Sequence, residues 1–137
     1  MLKETEVRIG NFVLDSNKNI VRIDALNLDG NLMQEDRRYD DNYKAIVNPK
    51  GVPLTPDLLY KIGFITLDAE TDTVVWGLSV SNGEEFSIVS DGLDTPVPLY
   101  FEYDLGYSRD VRKEVKYLHE LQNLYFALTG KELEIKL

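Results

Sequence analysis

The sequence predicts an α+β protein in which an antiparallel β meander packs against a long C-terminal helix, with one short helix in the middle of the chain. Three observations predict this class. Runs rich in β-branched and aromatic residues alternate with turn formers between Phe64 and about Tyr103. The stretch "VPLTPDLLYKIGF" carries the start and stop signals of a short helix. The stretch "VKYLHELQNLYFALTGKELEI", from Val115 to Ile135, repeats its apolar residues at helical spacing.

Length and composition limit the classes of protein to consider. The 137 residues fit a single domain, 1–137. The absence of cysteine excludes disulfides, thiolate metal sites and cysteine nucleophiles. The chain has 24 acidic and 15 basic residues and a net charge of −9. Because phosphate contacts need a basic surface, we do not expect nucleic acid or an anionic membrane as a partner. The charge favours solubility or a partner with a basic surface.

The N-terminal sequence "MLKETEVRIGNFV" has neither the apolar stretch nor the cleavage pattern of a signal peptide. No apolar run in the chain reaches the ~20 residues that span a membrane. We therefore expect a cytoplasmic protein.

The first part of the chain has the pattern of β structure. Two apolar runs, "NFVLD" and "IVRIDAL", flank the turn-forming "SNKN", which predicts a hairpin. Asp29-Gly30 is a strong turn dipeptide and ends the second strand. The charged stretch from Gln34 to Tyr43 has no periodicity and predicts an exposed loop. Residues 1–50 are therefore a candidate β-hairpin subdomain.

The short middle helix is predicted by its two ends. Thr55 is a good N-cap, and Pro56 suits the first helical position. Gly63 suits the left-handed residue that ends a helix. The prediction is a helix over Pro56 to Ile62 that buries Leu58, Leu59 and Ile62.

The meander is predicted from four runs, "FITL", "TVVWGLSV", "EFSIVS" and "VPLYFEY". Each gap between them contains turn formers, and Ser81-Asn82-Gly83 is the clearest hairpin signal. Trp76 lies in the second run, where we expect it to pack in the core of the sheet.

The C-terminal helix is expected to start at about Val111 or Val115 and to run to Thr129. Gly130 ends it, and residues 133–137 are a candidate edge strand. At about 100° per residue, one wide arc collects six apolar side chains that we expect to be buried: Tyr117, Leu118, Leu121, Leu124, Tyr125 and Leu128.

The other side chains of this helix are expected to differ in their surroundings. His119 and Asn123, one turn apart, fall on the opposite face, which we expect to be solvated. Gln122 falls inside the apolar arc and needs a hydrogen-bond partner there.

The arc is wider than the stripe by which a surface helix usually contacts its own domain. Phe126 lies at one edge, and Leu124 with Tyr117 at the other. An exposed apolar edge usually serves an interface, so we expect a homodimer or an unknown protein partner. The candidate interface residues are Tyr117, His119, Asn123, Leu124 and Phe126.

The sequence contains no phosphate-binding glycine loop and no hydrolase nucleophile elbow. One histidine and no cysteine argue against a zinc centre. We therefore predict no catalytic residue, no cofactor and no metal ligand. The acidic run Asp68 to Asp72 has the pattern of a surface turn. Glu102 and Asp104 share one side of a strand, and such a carboxylate pair keeps a small carboxylate-dependent hydrolase as the alternative.

Three stretches carry a resemblance to a known family. They are "RIGNFV" near the start, "VPLTPDLLYKIGF" in the middle and "YLHELQNLYFALTGKEL" near the end. They resemble short uncharacterised proteins of gut anaerobic bacteria, their phages and their mobile elements. The resemblance implies a bacterial, cytoplasmic setting and implies no catalytic residues. The function we expect is a non-enzymatic protein-binding module, an accessory protein of a bacterium or its phage.

Overall fold

The computed structural model confirms the α+β class, with antiparallel sheets and two helices. It describes residues 2, 6–27, 30–35, 43–69, 74–79, 85–90, 99–101, 103–104, 108–109 and 114–135. Neither helix in these ranges is long and apolar enough to cross a membrane.

Six short strands occupy the first part of the chain: β1 (Phe12–Leu14), β2 (Ile20–Arg22), β3 (Ala25–Leu26), β4 (Leu32–Glu35), β5 (Tyr43–Ala45) and β6 (Lys50–Gly51). They form two antiparallel sheets, in the orders β2-β1-β6 and β3-β4-β5. The predicted hairpin is β1–β2. Val13 and four other apolar side chains form a small core here. That residues 1–50 form a subdomain stays a prediction.

The predicted exposed loop is partly wrong. Its first two residues belong to β4 and its last, Tyr43, belongs to β5, because Met33, Gln34 and Glu35 pair with strand β5. Residues 36–42 of that loop lie outside the described residues. The turn at Asp29 also lies outside them.

The helix α1 (Pro56–Ile62) has the predicted bounds. Its N-cap, Thr55, accepts a 3.1 Å hydrogen bond at Oγ1 from the backbone N–H of Leu58. Gly63 has φ 116°, and its N–H donates to the carbonyls of the last turn. Leu58, Leu59 and Ile62 are buried, as predicted.

The largest sheet contains the predicted meander. Its five strands are β7 (Ile65–Ala69), β8 (Val74–Ser79), β9 (Glu85–Ser90), β10 (Leu99–Phe101) and β13 (Glu114–Val115). Between β10 and β13 the chain forms a separate small hairpin of β11 (Tyr103–Asp104) and β12 (Ser108–Arg109). The order is β13-β10-β9-β8-β7, and every pair is antiparallel.

Three sequence predictions for this region fall wholly or partly outside the described residues. They are the turn at Asn82-Gly83, the part of the acidic run beyond Ala69, and the carboxylate pair, of which Glu102 is not described.

The C-terminal helix α2 (Leu118–Thr129) begins later than predicted and has twelve residues, so it is not long. Val115 is a strand residue instead, because its backbone pairs with Leu99 of β10 and its side chain is fully buried. Gly130 ends the helix with φ 72°, as predicted. The predicted edge strand is wrong for residues 133–135, which form no strand, and Leu133 packs into the main core.

The main core contains buried side chains of the large sheet and of both helices. Trp76 is fully buried in it, as predicted, and its Nε1 donates a 2.9 Å hydrogen bond to Oγ of Ser90. The rings of Phe86 and Tyr125 meet edge to face at 5.2 Å between centroids. These contacts fix α2 against the large sheet. The residue just before the helix, Tyr117, lies against Gly51 of strand β6.

Candidate functional site at the start of the C-terminal helix

Gln122 finds its hydrogen-bond partners in the backbone of the N-terminal segment. Its Oε1 accepts a 2.9 Å bond from the N–H of Phe12, and its Nε2 donates a 3.0 Å bond to the carbonyl of Gly10. The residue is only 2% exposed. A buried amide is tolerated where its donors and acceptors are satisfied, so Gln122 docks α2 onto the segment that leads into β1.

Asn123 extends this polar contact. Its Oδ1 accepts hydrogen bonds from Nε of Arg8 at 2.8 Å and from Nδ2 of Asn11 at 2.9 Å. The Arg8 guanidinium also pairs with Glu132, at 3.0 Å from Nη2 to Oε2, and lies 4.5 Å from the ring centre of Phe126. The hydrogen bond from Arg8 lowers the pKa of the Glu132 carboxyl. Asn123 is therefore a structural contact and not the freely solvated residue predicted.

The buried face of α2 also includes His119, which is 3% exposed. The prediction of a solvated face for this residue is wrong. The predicted buried arc is wrong at its edge, since Tyr117 and Leu128 are 38% and 37% exposed. The hydrogen bonds of Gln122 explain the difference, because they turn that side of the helix toward the N-terminal segment.

Three of the five candidate interface residues line one cavity of about 430 Å³, namely Tyr117, His119 and Asn123. The other residues that line it are Leu2, Glu6 and Glu120. The two remaining candidates lie elsewhere. Leu124 is half-buried against the main core, and Phe126 is 42% exposed beneath the Arg8 guanidinium. That these five residues form an interface stays a prediction.

Tyr117 is held in a fixed orientation. Its ring stacks on the ring of His119, with 5.8 Å between centroids and 9° between planes. It also lies against Gly51, where an added Cβ would come within 2.5 Å of the Tyr117 Cγ. An isolated β-bridge to Pro53 fixes its backbone. The ring is thus a rigid wall whose outer part is exposed.

His119 is the one histidine of the chain, and its Nδ1 is buried without a hydrogen-bond partner among the described residues. Burial lowers the pKa of this imidazole, and the nearby charges of Glu120 and Glu6 oppose the shift. Because burial is the larger effect, the ring is neutral near pH 7.

Glu120 closes the start of the helix. Its Oε1 accepts from the backbone N–H of Tyr117 at 3.2 Å and of Lys116 at 3.3 Å. A carboxylate at this end also interacts favourably with the helix dipole. Glu6 is exposed. Among the described lining residues, Glu6 and Glu120 are acidic and none is a lysine or arginine.

The described residues contain no group of three His, Asp or Glu side chains placed to hold a metal ion. The arrangement can supply carboxylate acceptors, an amide and a stacked aromatic wall. Such groups suit the recognition of a polar or cationic group.

The sequence reasoning missed four residues of the site: Leu2, Glu6, Gly51 and Glu120. A local signal existed only for Glu120, which stands three residues after the N-cap, where a capping glutamate is common. A helix that begins at Val111 or Val115, as predicted, places Glu120 inside the helix and not at this capping position. Glu6 and Gly51 come to the site through tertiary contacts that no spacing in the sequence shows.

No protein-family model matches the chain, and comparisons with curated proteins and with solved structures find no match. The chemistry of the site is therefore argued from its own residues.

Proposed function

We propose that this protein is a non-enzymatic protein-binding module, an accessory protein of a bacterium or its phage. We propose further that the start of α2 is the surface that binds the partner. The observation that supports this most is that Tyr117, His119 and Asn123 line one cavity.

The physical properties of this surface suit binding. Tyrosine is favoured at the centres of interfaces because it buries a large area with few rotatable bonds. Contacts with Gly51 and His119 already hold the ring of Tyr117, so little further entropy is lost when a partner covers it. A cavity beside an exposed aromatic ring is the usual setting for an anchoring side chain.

A carboxylate-dependent hydrolase is the second candidate, because Glu6 and Glu120 line the same cavity. Binding is favoured over catalysis because Glu120 already caps the helix through one oxygen and Glu6 is exposed to solvent. Acid–base catalysis relies on carboxyl groups that burial and neighbouring groups tune for proton transfer. An enzyme of this kind would show turnover that Glu6→Gln abolishes.

Site-specific photo-cross-linking in cells that carry the gene tests the proposed function. The photoreactive residue p-benzoylphenylalanine replaces Tyr117 in the full chain and, as a matched control, replaces Tyr43, which is 51% exposed on β5. We expect one discrete adduct from position 117 and none from position 43. Equal adducts from both positions, or none from either, would contradict the proposal. An adduct of twice the mass of the chain would identify the partner as a second copy.

A further inference from the structure

We infer that the cavity beside His119 receives a positively charged side chain of the partner, the guanidinium group of an arginine. This inference rests on the proposed function and names the chemistry that the partner supplies to it. Four features of the cavity carry it: its charge, its aromatic wall, its unpaired buried nitrogen and its size.

The first feature is charge. Glu6 and Glu120 line the cavity, and both lie close enough to His119 to favour a positive charge on that ring. Oε2 of Glu120 accepts no hydrogen bond within the described part of the chain and is available to a donor. A cation entering the cavity meets two carboxylates and, among the described lining residues, no like charge.

The second feature is the wall formed by Tyr117. A guanidinium is planar, stacks on aromatic faces and is weakly hydrated compared with an ammonium. The same chain shows this chemistry further along the helix. There the Arg8 guanidinium lies over Phe126 and pairs with Glu132. An aromatic ring and a carboxylate together thus hold one arginine of the chain itself. In the cavity the exposed part of the Tyr117 ring and the two carboxylates offer similar groups to a second one.

The third feature is the buried Nδ1 of His119. A buried polar atom without a partner destabilises the free protein, and its retention calls for an explanation. A donor that enters the cavity supplies this partner when the neutral ring carries its proton on Nε2, since Nδ1 is then an acceptor. Burial lowers the pKa of the imidazole and so disfavours the charged form that would repel a cation.

The fourth feature is size. The cavity of about 430 Å³ falls in the range of about 300–1,000 Å³ that is usual for ligand pockets.

Asn123 lies at the border of the cavity with its Oδ1 already bonded to Arg8 and Asn11, so its amide N–H₂ is the group left for a partner. An amide donor suits a backbone carbonyl of the segment that carries the arginine.

The only histidine of the chain makes the test direct, because both of its ring nitrogens are observed without overlap in a histidine-labelled sample. The full-length ¹⁵N-histidine protein is titrated with N-acetyl-arginine amide at a fixed pH where the imidazole is neutral. N-acetyl-citrulline amide, which has the same shape without the charge, is the control probe. We expect a saturable shift of Nδ1 with the arginine probe, half-complete at about millimolar concentration, and none with citrulline.

Two matched variants test whether the charge of Glu6 contributes to binding of the arginine probe. Glu6→Gln removes one charge of the cavity, and Glu35→Gln removes an exposed charge on β4. We expect Glu6→Gln to weaken the arginine probe about fivefold, as for an exposed charge pair, and Glu35→Gln to leave it unchanged. Both residues are exposed, so folding is not at risk.

Three results would overturn the inference. They are an equal response to citrulline, the lack of any saturable shift, and equal effects of the two variants. These outcomes are separate from those of the proposed function. A discrete cross-link at position 117 without an arginine response would leave the binding surface in place and reject the cation. An arginine response without a cross-link would establish the cation site and reject the protein partner.

Discussion

The side-chain oxygen of Gln122 accepts a 2.9 Å hydrogen bond from the backbone N–H of Phe12 across a sequence separation of 110 residues. This bond, together with that of the Gln122 amide to Gly10, joins the segment that leads into β1 to the middle of α2. The two partners fall within the stretches "RIGNFV" and "YLHELQNLYFALTGKEL" of the sequence. The two stretches therefore meet in the fold, and a structural contact is a sufficient reason for their polar residues.

Replacing Gln122 by leucine tests this contact. Gln122→Leu leaves a partly buried N–H and a partly buried carbonyl without their partner, so we expect a loss of about 2–4 kcal/mol in the free energy of unfolding. Gln34→Leu is the control, since Gln34 is half-buried on β4 and its side chain forms no hydrogen bond within the described residues. It should change the stability by less than about 0.5 kcal/mol. Denaturant melts in which the two variants exchange rank would show that Gln122 is not a docking contact.

The contact of Gly51 with Tyr117 predicts a double-mutant result. Gly51→Ala places a methyl group into the Tyr117 ring, and we expect a cost of about 1–3 kcal/mol. In the Tyr117→Ala background the space is open, so the same change should cost less than about 0.5 kcal/mol. Four denaturant melts measure the coupling. Additive costs would mean that the ring does not lie against Gly51.

The end of α1 gives a backbone prediction. Gly63 has φ 116°, a conformation that L side chains rarely adopt. Gly63→Ala should therefore destabilise the protein by about 1 kcal/mol or more. Thermal or denaturant melts check this, and a variant as stable as the parent chain would refute the left-handed conformation.

His119 predicts a pH dependence. Its pKa is lowered from 6.5 in the folded state by burial, against the opposing charges of Glu120 and Glu6. As the pH falls below about 6.5, the unfolded chain takes up a proton at the imidazole while the folded chain does not. The contribution of His119 to stability is therefore complete above this pH and is lost as the pH falls toward the lower folded pKa.

Two measurements check that sign. The NMR titration of the His119 ring should have its midpoint below 6.5. The stability lost between about pH 7 and pH 5 should be smaller in His119→Gln than in the parent chain, because the variant lacks this group. A midpoint at or above the ordinary value would mean that the acidic neighbours outweigh burial.

An element can be predicted from the sequence when the residues that determine it are close together in the chain. The bounds of α1 follow from Thr55, Pro56 and Gly63, because capping and proline geometry act within a few residues. The start of α2 was not predictable in this way. The pairing of Val115 with Leu99 is a tertiary contact, and it overrides a sequence that suits a helix as well.

The same distinction applies to the site. The helical spacing identified His119 and Asn123 as neighbours but assigned Tyr117 to the opposite, apolar arc, whereas in the structure all three line one cavity. The spacing assigned His119 to the wrong surroundings, because its burial depends on chain segments far away in the sequence. Glu6 joins the cavity for the same reason, through the N-terminal segment that Gln122 holds in place.

The central claim is that a partner binds the start of α2, and the affinity of the purified cross-linked partner tests it most directly. Calorimetry compares the parent chain with Tyr117→Ala and with Phe126→Ala, the latter at the other exposed aromatic of the helix, after melts confirm that both variants fold. We predict that Tyr117→Ala weakens the affinity by about tenfold or more, as at an interface hot spot, and that Phe126→Ala leaves it within about twofold. An unchanged affinity for Tyr117→Ala, or a loss confined to Phe126→Ala, would contradict the account.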